Sequence, residues 1–156
     1  MQPSQLNLLK ELLTARRVLA LSVLVDGEPV IGLLPFAVLP DYRALVVHAS
    51  RLARHSRGLQ EGAPFEALIH APDTPEADPL QIPRVIVQGI VRSLRDEGSD
   101  SEATRRTYLK KIPGAEALLG FADFQFHRLE IQRGRLVAGF AQAVSFTSDT
   151  LRQIPH

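Results

Sequence analysis

The chain has 156 residues, a formal charge of +1, 45% hydrophobic residues and no cysteine. A globule of this length buries roughly 70% of the surface its unfolded chain exposes, so a core forms without metal or disulfide support. The missing thiols exclude a disulfide framework, thiolate zinc sites and a cysteine nucleophile, and the near-neutral total gives no reason to expect a polyanion or membrane surface as partner.

Ser4 precedes leucines at 6, 9, 12 and 13, a helical spacing with a capping residue in front. Arg16 and Arg17 mark the end of that helix. The opening MQPSQLNLLKELL lacks the basic and long apolar regions of a secretion signal, and no run approaches the ~20 apolar residues of a membrane span. A cytoplasmic location is the expectation.

Val18 to Val25 reads as a strand running into Asp26-Gly27, a dipeptide suited to a tight hairpin, and Pro29 to Leu39 as the returning strand. Pro40-Asp41 turns the chain into a third, buried-type strand, Ala44 to Ala49. After a basic turn, Phe65 to His70 reads as the fourth strand, bounded by Pro64 and Pro72. Residues 71 to 83 hold four prolines and three acids and read as an exposed loop.

Arg84 to Leu94 alternates as a strand, and Gly89 within it indicates a bulge or a close backbone approach. Ser101 to Ile112 reads as a helix with Tyr108, Leu109 and Ile112 facing inward, ended by Pro113-Gly114. The acids Asp96, Glu97, Asp100 and Glu102 open it and complement its dipole. Phe124 to Ile131, a turn at Arg133-Gly134 and Leu136 to Phe146 complete the chain. Six or seven strands without a βαβ rhythm predict a mostly β, α+β architecture: one antiparallel barrel domain over residues 1–156 with two to four peripheral helices.

The strongest local anomaly is the turn from Ser50 to Leu59. It holds Arg51, Arg54, Arg57 and His55 within seven residues and no acid. Leu52 and Leu59 are spaced as one face of a short helix, which sets Arg51 and Arg54 in its first turn, where cations oppose the helix dipole. Positive charge concentrated there fits an anion held by backbone N–H groups, the Ser50 or Ser56 hydroxyls and forked guanidinium groups. A phosphate monoester answers that description. So does no ligand at all, with a solvated face whose arginines pair with Glu61 and Glu66; charge alone leaves both open.

Several of these pieces resemble a known family. Arg16 to Asp41 (RRVLALSVLVDGEPVIGLLPFAVLPD), then Leu52 to Leu59 (LARHSRGL) before a Pro-initiated strand, then RVIVQG from Arg84, FQF from Phe124 and LVAGFAQA from Leu136 are similar, in that order, to the pyridoxamine 5′-phosphate oxidase-like FMN-binding split barrels. The similarity is greatest to their haem-utilisation (HugZ-like) branch and covers roughly Leu6 to Ala143. It implies an antiparallel split β-barrel that dimerises with itself and binds FMN at the subunit interface, with the flavin supplying any redox chemistry.

By the same resemblance Arg54, His55 and Arg57 hold the FMN phosphate, with Ser50 and Ser56 as hydroxyl partners. Pro35, Phe36 and Ala37 match the strand whose backbone approaches the ring, and Arg84 and Gln88 match positions reaching the flavin's polar edge, subject to strand register. No catalytic residue is assigned. The haem-utilisation branch carries a C-terminal extension that supplies much of its haem site, and this sequence ends at His156, so haem chemistry is not carried over. Nor does the region of His127, Arg128, Arg133 and Arg135 show the substrate-phosphate spacing of the vitamin B6 oxidases.

None of His48, His55, His70, His127 and His156 shows a metal-ligand spacing, so no metal is expected; His48 and His70 read as half-buried, hydrogen-bonded structural residues. The sequence lacks a Gly-x-Ser-x-Gly elbow, a P-loop and a Gly-x-Gly-x-x-Gly turn. What the family resemblance implies is a flavin-dependent oxidoreductase acting on an unidentified small molecule, or a non-catalytic flavin carrier, with a haem-handling protein of the same fold as alternative. A nucleic-acid-binding barrel is disfavoured, since no aromatic residue is interleaved with the arginines for base stacking.

Overall fold

The amino-terminal leucines form the helix their spacing predicts, but Ser4 does not cap it. In the computed structural model, which describes residues 1–94 and 99–155, α1 spans Pro3–Ala15. Pro3 takes the first turn, where its missing N–H costs nothing, and the Gln5 side chain accepts from the Gln2 backbone N–H at 2.9 Å. Leu6, Leu9, Leu12 and Leu13 are all buried.

Seven strands follow: β1 Val18–Val25, β2 Glu28–Val38, β3 Ala44–Ser50, β4 Pro64–His70, β5 Arg84–Ser93, β6 Phe124–Gly139 and β7 Gln142–Thr147, with α2 Ser99–Lys111 before β6 and α3 Ser148–Leu151 at the end. They pair in the order β3-β2-β1-β4-β5-β6-β7, and β3 also pairs with β6. Six antiparallel strands thus close into a barrel, and β7 extends outward from β6. Asp26 and Gly27 adopt the positive φ angles, 54° and 79°, that their hairpin requires.

One predicted turn is absent. Arg133-Gly134 lies inside β6, a single 16-residue strand, and the chain reverses instead between Gly139 and Gln142, with Ala141 at φ 57°. Gly134 is there for space: a Cβ would enter the Phe146 ring and approach the Ile86 carbonyl oxygen. The irregularity expected at Gly89 is present. Gln88 pairs with Arg133 but Gly89 pairs with Ile131, leaving Gln132 as the extra residue of a bulge, and a Cβ on Gly89 would run into the Glu130 carbonyl.

Helix α1 packs against β2, β4, β5 and β6, covering the barrel end at which β1 begins. Helix α2 lies outside the barrel, with Tyr108 and Ile112 buried against Ala37 and Val46 and Leu109 partly buried beside them, the inward face its sequence predicts. Of the acids expected at its start, Asp96 and Glu97 lie outside the described residues, as does His156. No described helix is long and apolar enough to cross a membrane.

The barrel is split. Strand β2 pairs with β3 only over Phe36, Ala37 and Val38, whereas β3 stays paired with β6 as far as Ser50 opposite Phe124. Below Phe36 the two strands part, and the basic turn crosses the gap.

Candidate functional site

The basic turn closes the barrel end opposite α1. Its helical part is a 3-10 turn, Arg54–Gly58, shorter than the expected helix: Arg51 and Leu52 precede it, and Leu52 is 86% exposed while Leu59 is buried. So short a turn carries no macrodipole worth opposing, and the dipole argument for an anion falls away. Two glycines let the turn dock. A Cβ on Gly58 would meet Val23 and the Leu24 carbonyl, and one on Gly32 would enter the His55 ring.

The arginines divide into two groups. Arg57 donates to Asp26 at 2.9 Å, and Arg54 stands 3.9 Å from Glu28. Both are largely exposed, so each pair contributes little to stability. The carboxylates expected as partners are elsewhere: Glu61 is engaged by Arg92 and the Ser93 N–H, and Glu66 lines an outer cleft. Arg51 has no ion pair among the described residues. The serines hold the turn's shape. Ser50 donates to Asp123 and accepts from the Leu52 N–H, while Ser56 donates to the Ser50 carbonyl at 2.5 Å.

Behind the turn lies a cavity of about 330 Å³ whose polar lining is Arg51, Ser56, Arg57, Gln60, Ser93, Gln125 and His127, with Leu59 beside them. Register explains the assembly. Val47 pairs with Phe36 and with His127, and His127 pairs with Ser93, one row across four strands. Phe36 and Val47 belong to the core, so His127 and, two residues earlier, Gln125 point the same way at the barrel mouth.

His127 is only 6% exposed, and its Nδ1 is buried without a hydrogen-bond partner. Burial pushes its pKa down to about 4, reinforced by His48, Arg51 and His55, so at neutral pH it is an uncharged donor and acceptor. Burial likewise lowers His55. Among the described residues no carboxylate lines the cavity.

The other predicted residues lie elsewhere. Pro35 is exposed on the outer face of β2, but Phe36 and Ala37 are buried, leaving only their backbone to approach a ligand. Arg84 and Gln88 share the outer face of β5, four residues apart, which settles their register. Arg84 donates to the Ile82 carbonyl, and Gln88 accepts from Arg133 at 2.7 Å inside a second cleft of about 490 Å³ that includes Ile86, Arg135 and Ser145. Ser93, at the mouth, is nine residues from Arg84, ~30 Å along the strand, so one protomer does not bring the two predicted halves of the site together.

Of the histidines read as structural, His48 is buried and stacks on Phe126 at 4.3 Å between ring centroids, whereas His70 is exposed and its Nδ1 lies 2.6 Å from the Ala71 carbonyl. It follows Ile69 at the strand's edge, on the outward face of the alternation. Among the described residues no cluster of metal-ligating side chains occurs. Sequence reading missed His127, Gln125, Ser93 and Gly32. A signal for two of them is present: in FQFHRLEI the inward positions are Leu129 and Ile131 but also Gln125 and His127, a polar end to an apolar face.

Several solved structures are similar to this one. The haem binding protein of Mycobacterium smegmatis superposes with a TM-score of 0.84 at 27% identity, over 98% of this chain and 62% of that one; the chain thus spans about three fifths of that relative. A second Mycobacterium smegmatis protein, described as binding FAD and haem, superposes at 0.63 with 20% identity over 88% and 80% of the two chains. A protein of the pyridoxine-phosphate oxidase family from Clostridium acetobutylicum superposes at 0.70 with 12% identity over 97% and 99%. The last two likenesses are of fold alone. No protein-family profile and no curated protein matches the chain.

Proposed function

We propose that this chain, a pyridoxamine 5′-phosphate oxidase-like split barrel, is an FMN-binding protein that acts as a homodimer, with a flavin-dependent oxidation or reduction of a small molecule as its activity. The observation that carries the reading is the mouth cavity, lined by Arg51, Arg57 and the buried His127 with no carboxylate among its described lining residues. Arg51 is exposed and has no ion pair among the described residues, so its guanidinium is available to an anion. A phosphate fits this donor set and its positive surroundings. When bound, the flavin supplies two-electron or one-electron chemistry; the chain's part is to hold the phosphate with Arg57, Arg51 and His55, and with Arg54 from the rim.

Dimerisation is supported by an exposed apolar face. Val18 and Leu24 on β1 and Ile31 and Leu33 on β2 are 49%, 51%, 74% and 72% exposed and lie on one side of a paired hairpin. A contiguous patch of that kind is the mark of an interface. Across such an interface the partner's outer face would bring Arg84 and Gln88 toward a flavin that they cannot reach within their own protomer.

The test is direct. FMN added to the purified protein should lose fluorescence on binding, and Arg51→Ala with Arg57→Ala should abolish the quench while the fold survives. Unquenched FMN with the wild-type chain would sink the reading. A second reading, haem binding, is favoured by the likeness to the haem binding protein of Mycobacterium smegmatis. A Soret band that appears on adding haem and vanishes in a histidine variant would select it.

A further inference from the structure

We propose that the outer cleft of about 490 Å³ over β4 to β7 is a small-molecule site for a carboxylate carried on an apolar body, with Arg133 and Arg135 as the groups that hold the carboxylate. It shares no lining residue with the mouth cavity and does not depend on the flavin reading.

The outside of a barrel is convex and gives a ligand nothing to enter, but here the wall is broken at the β6 bulge. Strand β6 pairs with β3 as far as Glu130 and with β7 from Arg133. Its neighbour therefore changes across the extra residue Gln132, and a bulge bends a strand and re-aims the side chains beyond it. Register then sets two rows across the sheet. Glu66, Gln88 and Arg133 form one, and Ile86, Arg135 and Ser145 the next. Arg133 and Arg135 thus share the outward face of β6, while Gly134 between them turns toward Phe146, whose ring a Cβ there would strike.

The charges in the cleft are held apart. Arg133 donates from Nε to the Gln88 side-chain oxygen at 2.7 Å, which orients the guanidinium plane and leaves its terminal nitrogens for a ligand. Arg135 reaches the Ser145 hydroxyl at 3.4 Å. Neither arginine has an ion pair among the described residues. Glu66, the acid among the described lining residues, stands two strands from Arg133, ~10 Å across the sheet, and is likewise without an ion pair among them. The acids nearby are engaged elsewhere: Glu130 accepts from Arg92 at 3.2 Å, and Asp149 lies 3.7 Å from Arg152. Two neighbouring guanidinium forks beside Ile86 select a carboxylate on an apolar body. Glu66 at the far end of the row disfavours a second anionic group and accepts from a hydroxyl or an amine.

Two measurements on the full chain test this. Millimolar benzoate should shift the backbone amide resonances of Gly134 and Ser145 and the side-chain amide of Gln88 saturably, and benzamide, its uncharged counterpart, should bind about tenfold more weakly. Arg135→Gln should weaken benzoate by about the same factor, and Arg135→Lys, which keeps the charge but not the fork, should recover part of the loss; both variants should keep the wild-type thermal midpoint. Benzoate that binds in this way while FMN does not would keep the cleft and discard the flavin reading. Benzoate that moves none of these resonances overturns the site whether or not FMN binds. Equal affinity for benzoate and benzamide, or undiminished benzoate binding by Arg135→Gln, overturns it as well.

Discussion

The His55 ring rests on the bare backbone of Gly32: a Cβ at residue 32 would lie inside the imidazole. Gly32 sits midway along β2, in the stretch that has left β3, so the glycine is what lets the turn between β3 and β4 enter the split. Gly32→Val would push His55 and its neighbours outward. We expect a loss of about 1–3 kcal/mol, the usual cost of overpacking, read as a lower urea midpoint, together with weaker FMN binding. Wild-type FMN affinity in that variant would show that His55 does not position the phosphate site.

Glycines elsewhere predict a sharp contrast. Gly89 faces the Glu130 carbonyl at the β6 bulge, and backbone does not move aside as a flexible side chain does. Gly89→Ala should cost several kcal/mol or prevent folding. Gly114 has open space around it and sits in the 3-10 turn Pro113–Leu118, so Gly114→Ala should leave the thermal midpoint nearly unchanged. Similar midpoints for the two variants would contradict the bulge geometry.

The same bulge shows what was legible in the sequence. The DG hairpin, the leucine stripe of α1 and the Tyr108-Leu109-Ile112 face were readable because each is a local pattern, a turn dipeptide or a helical period within a dozen residues. Arg133-Gly134 was misread as a turn because glycine commonly marks one, while here it makes room for Phe146, a residue on the next strand. His127 was passed over for a different reason. Its meaning lies in register with Val47 and Ser93, and neither pairing is encoded near residue 127. The charge cluster marked the turn at the barrel mouth, but composition does not say which of its cations face Asp26 and Glu28.

Acid should unfold the protein earlier than its carboxylates require. His127 titrates near 4 in the fold and near 6.5 when unfolded, and His48 and His55 are also lowered. The unfolded chain therefore binds more protons between pH 6.5 and 4, so stability is complete above that window and falls as pH drops through it. His127 alone accounts for a loss on the order of 3 kcal/mol. Urea midpoints measured from pH 7 to 4 should fall more steeply for the wild type than for His127→Phe, and parallel curves would refute the assignment.

A lysine at the other end of the barrel has the opposite exposure to base. Lys111 reaches from α2 to donate to the Leu13 carbonyl at 3.1 Å, one of the last carbonyls of α1 and so lacking a helical partner. Its ammonium lies 4.0 Å from the Phe36 ring centroid. Burial, then Arg16 and Arg17, lowers its pKa to about 8. Since the folded value lies below the unfolded one, the unfolded state binds more protons between pH 8 and 10.5. The penalty for burying the charge is full below that window and is relieved as pH rises through it, by at most about 1.4 kcal/mol per pH unit. Lys111→Met keeps the apolar stem and removes the titration. The wild type should gain stability relative to this variant between pH 8 and 10, and a constant difference across that range would mean that Lys111 remains charged throughout.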